Sequence, residues 1–409
     1  MAEDSTADTA VTTTDVDAGP PMDTQALADT TVAPPLTDAN GDSRGDTARD
    51  TERDTSTAPV DTAPAGTRTV LRVHYPRQVN PVGLRGDAAG LSWERGQTMT
   101  FVGEDTYEYV TTALDRPLEW KPLLGDRTWA RGPNYRARPG QTVDVYPHFE
   151  RTAGSVSRRW TAFRSTILGN TRGVWVYLPP THLENPTARF PVVYFHDGQN
   201  LFDPRTAFGG VTWRVAEALD TGAEDGSIRE VIAVGVENTP ARINEYTPTR
   251  DAARDAGGDG ERYLRMLVEE LMPLVNRELP TLTGPERTAL VGSSLGGLIS
   301  AYGGVRRPET FGLIGALSPS TWWDNRMLLR EVASVPSRPA RALRVYVDSG
   351  DSGPSMDDVV NTRALALAYR AAGYTDGDFR HVVQAGATHT EAAWASRLPG
   401  ALAFLLGPR

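Results

Sequence analysis

The stretch Leu290-Val291-Gly292-Ser293-Ser294-Leu295-Gly296-Gly297 sets Ser294 between two glycines in the spacing G-x-S-x-G. An apolar run precedes the stretch at residues 289–291, and an apolar pattern that suits a helix follows from residue 298. A serine between a buried strand and a helix lies in a sharp turn, where glycines allow both backbones to come close. The stretch therefore predicts a nucleophile elbow at Ser294, although a glycine-rich connection without any chemistry shows the same pattern.

The chain around this elbow alternates between apolar runs and helical patterns. The apolar runs, typical of strands covered on both faces, lie at residues 190–195, 230–236, 288–292 and 342–347. The helical patterns lie at residues 213–219, 263–271 and 359–372. Such alternation implies a mainly parallel sheet with right-handed crossovers. Residues 151–409 are therefore predicted to form an α/β domain, with the elbow at a strand-to-helix junction.

Two loops offer partners for a nucleophilic serine. His389 lies in a glycine-flanked loop after the last strand pattern, 379–383, and follows the serine in the chain, which is where this fold needs its general base. Residues 196–202 follow a buried strand and are rich in turn formers, so their amides and that of Leu295 are predicted to form an oxyanion hole. His196 itself is interpreted as a hydrogen-bonded structural residue.

The acid that should orient His389 is ambiguous. The loop after the strand pattern 342–347 contains Asp348, Asp351, Asp357 and Asp358. One buried carboxylate must hold the imidazole nitrogen remote from the serine. Asp357 and Asp358 also flank a helix start, where a carboxylate commonly caps the helix. The residues alone leave all of these aspartates open.

Short β-branched and aromatic runs, separated by Gly, Pro and Asp, fill residues 68–150 and predict a small all-β sandwich. The order of Leu84-Arg85-Gly86-Asp87, Leu91-Ser92-Trp93, Leu118-Glu119-Trp120-Lys121, Trp129 and Asn134-Tyr135 resembles immunoglobulin-like carbohydrate-binding modules and the N-terminal domain of enterochelin esterases. That resemblance implies sugar stacking on Trp120 and Trp129, with Lys121 and Asn134 binding hydroxyls. The alternative is that these aromatic residues fill the core of the sandwich or cover the substrate.

The composition excludes several classes of function. Of the net charge of −10, residues 1–67 contribute −11, from 14 acidic residues against three arginines, so the rest of the chain is near +1. A nearly neutral folded part indicates no nucleic-acid partner and no anionic membrane surface. No cysteine occurs, which excludes disulfides, thiolate metal sites and a cysteine nucleophile. No metal and no cofactor are predicted.

Residues 1–67 are rich in Thr, Asp, Ala and Pro, and this composition predicts a disordered acidic tail. Neither a signal peptide nor an apolar run of membrane-spanning length is visible. The sequence leaves the compartment open: a true start upstream is compatible with an extracytoplasmic location, and the alternative is the cytoplasm. The sequence makes no prediction of the oligomeric state.

Residues from about 160 to 407 resemble the putative esterase family of the α/β-hydrolase superfamily, which includes enterochelin esterases, esterase D type enzymes, feruloyl esterases and mycolyltransferases. The segments that carry the resemblance, in the order of the family, are Tyr194-Phe195-His196-Asp197-Gly198-Gln199, Arg242-Ile243-Asn244-Glu245-Tyr246-Thr247-Pro248, Glu269-Glu270-Leu271-Met272-Pro273, Gly292-Ser293-Ser294-Leu295-Gly296-Gly297, Phe311-Gly312, Leu317-Ser318-Pro319-Ser320 and Gly386-Ala387-Thr388-His389 with Trp394. The resemblance implies Ser294 as nucleophile and His389 as base. It favours Asp357 as the acid, then Asp358. Asp351 stays open because the family's acidic position falls on Gly353 here.

The resemblance implies hydrolysis of a carboxylic ester through an acyl-enzyme at Ser294, with the amides of Leu295 and Gln199 binding the oxyanion. The expected substrate is a small-molecule or glycan-linked ester: a siderophore, feruloyl or other sugar-linked ester. The alternatives are an acyltransferase with a sugar acceptor and a noncatalytic glycan-binding protein on a hydrolase scaffold. Trp322 and Trp323 are candidates for the substrate pocket or for core filling. The loop 241–260, with several acids, is expected to be a solvated lid rather than a calcium site.

Overall fold

Short β-branched and aromatic runs form the strands of the N-terminal part of the fold. The computed structural model describes residues 66–334 and 344–408, so the predicted tail lies outside the described residues, except for its last two. The strands of this part are β1 (Thr69–His74), β2 (Val82–Gly86), β3 (Gln97–Thr98), β4 (Thr100–Gly103), β5 (Thr106–Thr111), β6 (Leu118–Leu124), β7 (Thr128–Trp129), β8 (Tyr135–Ala137) and β9 (Thr142–Val145).

These strands form two sheets, one in the order β4-β5-β1-β9 and one in the order β3-β2-β6-β7, with β8 paired to β6. Along β6 the side chains of Leu118 and Trp120 are buried, whereas the intervening Glu119 and Lys121 are only half-buried. Because side chains alternate between the faces of a strand, one face of β6 can be wholly apolar. That face shares one hydrophobic core with Leu71 of the other sheet. The two sheets therefore pack face to face as a sandwich, and its immunoglobulin-like classification stays a prediction.

The remaining strands and helices alternate along the chain. The strands are β10 (Ser155–Arg164), β11 (Thr171–Leu178), β12 (Val192–His196), β13 (Ile232–Val236), β14 (Arg250–Asp251), β15 (Ala256–Gly257), β16 (Thr288–Ser293), β17 (Leu313–Leu317), β18 (Arg344–Gly350) and β19 (Phe379–Gln384). The helices are α1 (Pro180–Glu184), α2 (Val215–Asp225), α3 (Arg242–Tyr246), α4 (Gly260–Arg265), α5 (Met272–Glu278), α6 (Leu295–Arg306), α7 (Trp323–Ser334), α8 (Val359–Ala371) and α9 (Glu391–Leu406). A π-helical segment, Met266–Leu271, joins α4 to α5.

Eight strands form one sheet in the order β10-β11-β13-β12-β16-β17-β18-β19. The pairs β10–β11 and β11–β13 are antiparallel, and the pairs among the last six strands of this order, β13-β12-β16-β17-β18-β19, are parallel. The predicted mainly parallel α/β sheet is confirmed. Since Ser293, Leu317 and Asp348 are neighbours in register, the loops that follow β16, β17 and β18 begin side by side at one edge of the sheet.

Helices cover both faces of this sheet, which explains why all residues of β12 and β16 are buried. On one face, Leu219 of α2 and Leu402 of α9 belong to one hydrophobic core. On the other face, Leu298 of α6, Leu328 of α7 and Leu365 of α8 belong to a second core. The elbow between β16 and α6 is thus held from both sides, which restricts the positions that its serine can take.

The sandwich joins the α/β part through helix α1. The Glu184 carboxylate accepts a hydrogen bond from the Tyr75 hydroxyl, at 2.6 Å, and from the amide of Phe149, at 2.7 Å. The Asn185 side chain donates to the carbonyl of His74, at 2.7 Å. Because charge-assisted hydrogen bonds are among the stronger polar contacts, α1 holds the sandwich against the α/β part.

Candidate active site

Ser294 lies between β16 and α6 with φ 53° and ψ −124°, a backbone conformation that residues other than glycine rarely adopt. The strain is held by close packing, since a Cβ atom on Gly292 would approach the carbonyl carbon and oxygen of Gly296 to 2.6 Å. Backbone hydrogen bonds fix the turn further. The Ser294 amide donates to the carbonyl of Leu317 at 3.0 Å, and the Ser294 carbonyl accepts from the amide of Ser320 at 2.9 Å. These contacts give the turn the geometry of a nucleophile elbow.

His389 lies in the loop between β19 and α9 and makes two hydrogen bonds that run in line. Its Nε2 atom is 2.9 Å from Ser294 Oγ, and its Nδ1 atom is 2.6 Å from Asp357 Oδ1. Trp394 presents its ring at right angles to the imidazole, with the ring centres 4.9 Å apart. The structure therefore brings together a serine, a histidine and a carboxylate in the order that nucleophilic catalysis requires.

Asp357 is fully buried, and its surroundings favour the ionised form. Burial raises the pKa of Asp357, but hydrogen bonds from His389, from the Gly350 amide and from Ser318 outweigh burial and hold the pKa below its usual range. The carboxylate can therefore stay charged beside the imidazole. A charged carboxylate at Nδ1 fixes the tautomer in which Nε2 is free to accept a proton.

The other aspartates of this loop point elsewhere. Asp351 accepts a hydrogen bond from the Gly386 amide at 2.7 Å, and Asp358 accepts one from the Asn361 side chain at 2.5 Å. Asp348 forms an ion pair with Arg397, with Oδ2 2.9 Å from Nε. Burial raises the pKa of Asp358 to about 6 and likewise that of Asp348 to about 6. Among these aspartates the structure brings only Asp357 to the imidazole.

The loop after β12 lies against the elbow. A Cβ atom on Gly296 would approach His196 Cβ to 3.2 Å and Asp197 Oδ2 to 3.4 Å, so this loop packs on the first turn of α6. Leu295 is the first residue of that helix, and its amide has no carbonyl partner within the helix. Gln199 lies in a short helical turn, Gly198–Asn200, beside it. The two amides predicted for the oxyanion hole are therefore carried by neighbouring segments.

Asp197 anchors the loop after β12 through its hydrogen bonds to neighbouring segments. Its carboxylate accepts hydrogen bonds from Arg242, at 2.9 and 3.0 Å, and from the Asn238 side chain, at 2.7 Å, and its amide donates to the hydroxyl of Tyr246. His196 is fully buried, with Nδ1 2.9 Å from the Tyr263 hydroxyl. Burial lowers the pKa of His196 to about 3, so the imidazole is neutral and packs as a structural residue.

The four tryptophans considered for substrate binding lie in different environments. The expectation that Trp120 stacks on a sugar is wrong, because its side chain is 0% exposed in the core of the sandwich. Trp323 is also buried, and its indole nitrogen donates to the carbonyl of Thr249 at 3.0 Å, so it fills the core. Trp129 is 37% exposed on the sandwich, next to Trp93. Trp322 is half-buried and lies two residues after Ser320, whose amide donates to the Ser294 carbonyl.

Polar side chains of the predicted sugar site are engaged within the sandwich. Lys121 donates to the carbonyl of Gly132 at 2.5 Å, and Asn134 donates to the Glu119 carboxylate at 2.7 Å. Both groups therefore have partners in the sandwich itself, which weakens the prediction that they bind sugar hydroxyls.

The loop 241–260 contains α3 and the two-residue strands β14 and β15. Its acidic residues face arginines: Asp251 binds Arg254 at 2.6 Å, and Asp255 forms an ion pair with Arg250. Arg254 also lies over the ring of Trp322, 4.4 Å from its centre. Asp251 and Asp255 are thus balanced by local cations, and Arg254 of the loop packs over Trp322.

Several buried residues around the acid were not predicted from the sequence. Ser318, Trp394 and Arg397 form a hydrogen-bonded group next to Asp357, and Ser320 Oγ lies 3.3 Å from Ser294 Oγ. Ser318, Ser320 and Trp394 belong to segments that carry the family resemblance, but no role was predicted for them. A buried arginine on an apolar helix was the remaining signal, because a charge at such a position needs a partner.

The eight-stranded sheet, with a serine, a histidine and a buried carboxylate at one edge, defines an esterase of the α/β-hydrolase class. The family described as "Putative esterase" matches residues 165–405. The chain therefore belongs to this family, as the sequence resemblance implied, and it is a carboxylic ester hydrolase.

Curated relatives include proteins with and without a described activity. The chain is 27% identical to Uncharacterized protein YbbA of Bacillus subtilis, over 58% of this chain and 94% of that protein. It is 30% identical to the Iron(III) salmochelin esterase of Escherichia coli, over 38% of this chain and 34% of that enzyme. It is 29% identical to the siderophore enterobactin esterase of Emericella nidulans, over 44% of this chain and 64% of that enzyme. The match therefore spans about a third of the first esterase and less than two thirds of the second.

Two solved structures share the fold. A ferulic acid esterase superposes with a TM-score of 0.50 at 19% identity, over 62% of this chain and 98% of that one. The BES protein from Bacillus cereus superposes with a TM-score of 0.50 at 18% identity, over 66% of this chain and 100% of that one. Within residues 66–334 and 344–408, no helix is long and apolar enough to cross a membrane.

Proposed function

We propose that the chain hydrolyses esters through an acyl-enzyme on Ser294, with His389 as general base and Asp357 as the acid that orients it. The observation that carries this proposal is the continuous line of hydrogen bonds from Ser294 Oγ to His389 Nε2, at 2.9 Å, and from His389 Nδ1 to Asp357 Oδ1, at 2.6 Å. Because Asp357 holds the proton on Nδ1, Nε2 can take the proton of Ser294 during attack.

The reaction then proceeds in two acyl transfers. Ser294 Oγ attacks the ester carbonyl, its proton passes to His389, and the amides of Leu295 and Gln199 stabilise the oxyanion. When the tetrahedral intermediate collapses, the bond to the alkoxide oxygen breaks and His389 returns the proton to the leaving alcohol. Water enters next and attacks the acyl carbonyl while His389 takes one of its protons. The bond to Ser294 Oγ then breaks, His389 returns the proton to Oγ, and the carboxylic acid leaves.

A polar cleft lies next to the loop that carries Gln199. It has a volume of about 450 Å³ and is lined by Arg158, Glu237, Asn238 and Thr239 among others. Asn238 connects the cleft to the oxyanion loop, because its amide donates to the Gln199 side chain at 3.2 Å. Volumes of this size suit drug-sized ligands. Ser294, His389 and Asp357 are not among the residues that line the cleft, so its link to the reacting atoms is the loop that carries Gln199.

A siderophore ester is the proposed substrate. Two curated relatives at 29–30% identity are siderophore esterases, and the esterase family to which this chain belongs matches residues 165–405. Feruloyl and other sugar-linked esters, and acyl transfer to a sugar, are the competing outcomes of the same test. A noncatalytic glycan-binding role is disfavoured by the aligned serine, histidine and acid.

The experiment combines active-site labelling with a substrate panel. A fluorophosphonate probe is expected to label the wild type and the Ser293→Ala control, in which only the adjacent serine is changed, but not Ser294→Ala. The rate on an aryl ester should fall on the order of 10⁶-fold in Ser294→Ala. Unchanged turnover by Ser294→Ala would disprove the serine mechanism.

The panel contains enterobactin, a feruloylated sugar and p-nitrophenyl butyrate, each with and without an added sugar acceptor. We expect enterobactin to give the highest kcat/KM and water to be the acyl acceptor. A higher kcat/KM on the feruloylated sugar would replace the siderophore proposal, and acylated sugar as the main product would indicate a transferase.

A further inference from the structure

Ser318, the first residue after β17, is fully buried and lies behind the acid, away from the imidazole. Its hydroxyl oxygen is within hydrogen-bond distance of three groups: Asp357 Oδ2 at 2.7 Å, Trp394 Nε1 at 3.0 Å and Arg397 Nη2 at 2.7 Å. The tryptophan and the arginine both come from helix α9, whereas the acid precedes helix α8. One hydroxyl thus connects three separate elements.

The chemistry of these groups fixes the direction of every bond. A serine hydroxyl has one proton to donate and two lone pairs to accept with, and both indole and guanidinium nitrogens can only donate. Trp394 and Arg397 therefore occupy the two lone pairs of Ser318. The remaining proton must point to the third neighbour, Asp357, because no other arrangement satisfies all the groups.

This arrangement divides the two oxygens of Asp357 between different partners. Oδ2 accepts from the Ser318 hydroxyl and from the Gly350 amide, so Oδ1 is left for His389 Nδ1. A carboxylate held at both of its oxygens cannot rotate without breaking a buried hydrogen bond, which costs free energy.

Arg397 also brings a charge to the same place. Its side chain is 4% exposed, and its guanidinium is 2.9 Å from Asp348 Oδ2 and 3.7 Å from Asp357 Oδ2. A buried cation between two buried carboxylates favours a polarised Ser318 hydroxyl, since charge-assisted hydrogen bonds strengthen the next bond in a chain.

We propose that Ser318 is a positioning residue of the ester hydrolysis: held by Trp394 and Arg397, its hydroxyl can donate only to Asp357 and so keeps Oδ1 of that carboxylate directed at His389. This inference rests on the proposed serine mechanism, because it concerns the acid of that mechanism. Ser318 touches neither substrate nor reacting atoms, and its effect passes through Asp357 and His389.

The central test is Ser318→Ala, with Ser349→Ala as the matched control. Both serines are fully buried at the same edge of the sheet, and within the described part of the chain the Ser349 hydroxyl has no hydrogen-bond partner. Loss of one charge-assisted hydrogen bond should lower kcat of Ser318→Ala about 10- to 100-fold on an aryl ester. KM should stay the same, and the control should keep the wild-type kcat.

The pH dependence separates positioning from packing. Without the Ser318 donor, more negative charge remains on Oδ1 and stabilises the protonated imidazole, so the acid limb of kcat/KM should move to higher pH by about one unit. The charged groups around the Asp357–His389 pair are Arg397, Asp348, Asp358 and Glu391, and all are present in the variant. A purely structural role would lower the free energy of unfolding and leave this limb in place.

Trp394→Phe is a second test that does not depend on the folding of Ser318→Ala. It keeps a ring against His389 but removes one donor to Ser318, so the hydroxyl can turn away from Asp357 for part of the time. We expect a smaller loss of kcat, about 3- to 10-fold, with the same direction of the pH shift.

The outcomes distinguish this inference from the proposed function. A wild-type kcat and an unmoved acid limb in both Ser318→Ala and Trp394→Phe would overturn the positioning role, and so would an equal loss in Ser349→Ala. If at the same time Ser294→Ala is inactive, the serine mechanism stands without it. If Ser294→Ala is active, the proposed function itself fails.

Discussion

Asp357→Asn exchanges one carboxylate oxygen of the candidate acid for an amide nitrogen. The oxygen beside Ser318 and the Gly350 amide accepts two hydrogen bonds, so the amide oxygen of Asn must stay there. Its NH₂ group is then forced to face Nδ1 of His389, at the position where Oδ1 now accepts at 2.6 Å. Nδ1 has to accept, the imidazole proton moves to Nε2, and Nε2 can no longer take the proton of Ser294.

The wrong tautomer should lower kcat on the order of 10⁴-fold, which corresponds to about 5 kcal/mol of transition-state stabilisation. Initial rates on p-nitrophenyl butyrate at neutral pH measure the loss, and urea unfolding checks that the variant is folded. Asp351→Asn and Asp358→Asn are the matched controls, because their carboxylates bind Gly386 and Asn361 instead. The reasoning is refuted if Asp357→Asn keeps more than about a tenth of kcat, or if either control loses as much activity as Asp357→Asn does.

Three further predictions concern the oxyanion loop and the sandwich. Burial lowers the pKa of His196 to about 3, so at acid pH the unfolded chain binds a proton that the folded chain does not. Between about pH 7 and pH 5 the free energy of unfolding of the wild type, measured in urea, should therefore fall by about 2 kcal/mol more than that of His196→Gln. Equal losses in the two proteins would contradict this. Trp120 is buried and Trp129 is partly exposed, so Trp120→Ala should lower the free energy of unfolding by about 3–5 kcal/mol and Trp129→Ala by about 1 kcal/mol or less. Calorimetry resolves such a difference, and equal melting temperatures of the two variants would disprove it. Gly198→Ala would place a Cβ atom 2.4 Å from the backbone of β13, shift the loop that carries Gln199 and lower kcat about 10²- to 10³-fold. In Gly400→Ala, the control, the Cβ atom meets no atom within 4 Å, so kcat should stay unchanged. Equal kcat values in the two variants would refute a role of this loop in catalysis.

The sheet could be predicted from the sequence because its signals are local. Strands such as β12 and β16 are covered on both faces and read as continuous apolar runs, and the glycines around Ser294 mark the turn between β16 and α6. The position of His389 followed from chain order, since the base of this fold comes after the last strand. These features need no knowledge of distant contacts.

The acid could not be assigned from the residues because the choice depends on the path of the backbone. Met356, Asp357 and Asp358 all have positive φ, a turn that directs the middle side chain inward and that no residue type in the loop announces. Ser318 and Arg397 were not predicted for a related reason. They meet Asp357 from two other elements, at sequence separations of 39 and 40 residues.

The burial of Trp120 is indicated by the pattern of its own strand. Leu118 and Trp120 alternate with Glu119 and Lys121, and this period of two predicts an inward tryptophan on a half-buried strand. The resemblance to sugar-binding modules implied stacking on Trp120, and core filling was the alternative that the pattern of the strand favours. The physical reason for the outcome is the core of the sandwich, where a large ring fills space between the two sheets that no smaller side chain of this segment can fill.

Helix α9 also sets the order in which the site can be assembled during synthesis. The nucleophile is made about a hundred residues before His389, and the two side chains that hold Ser318 come later still, on a helix whose Leu398 and Leu402 are buried against the sheet. A chain that stops before this helix contains Ser294, Asp357 and His389 but lacks both side chains that hold Ser318. If Ser318 positions the acid as proposed, the hydrolysis rate therefore reports on the docking of α9 as well as on the three residues of the reaction.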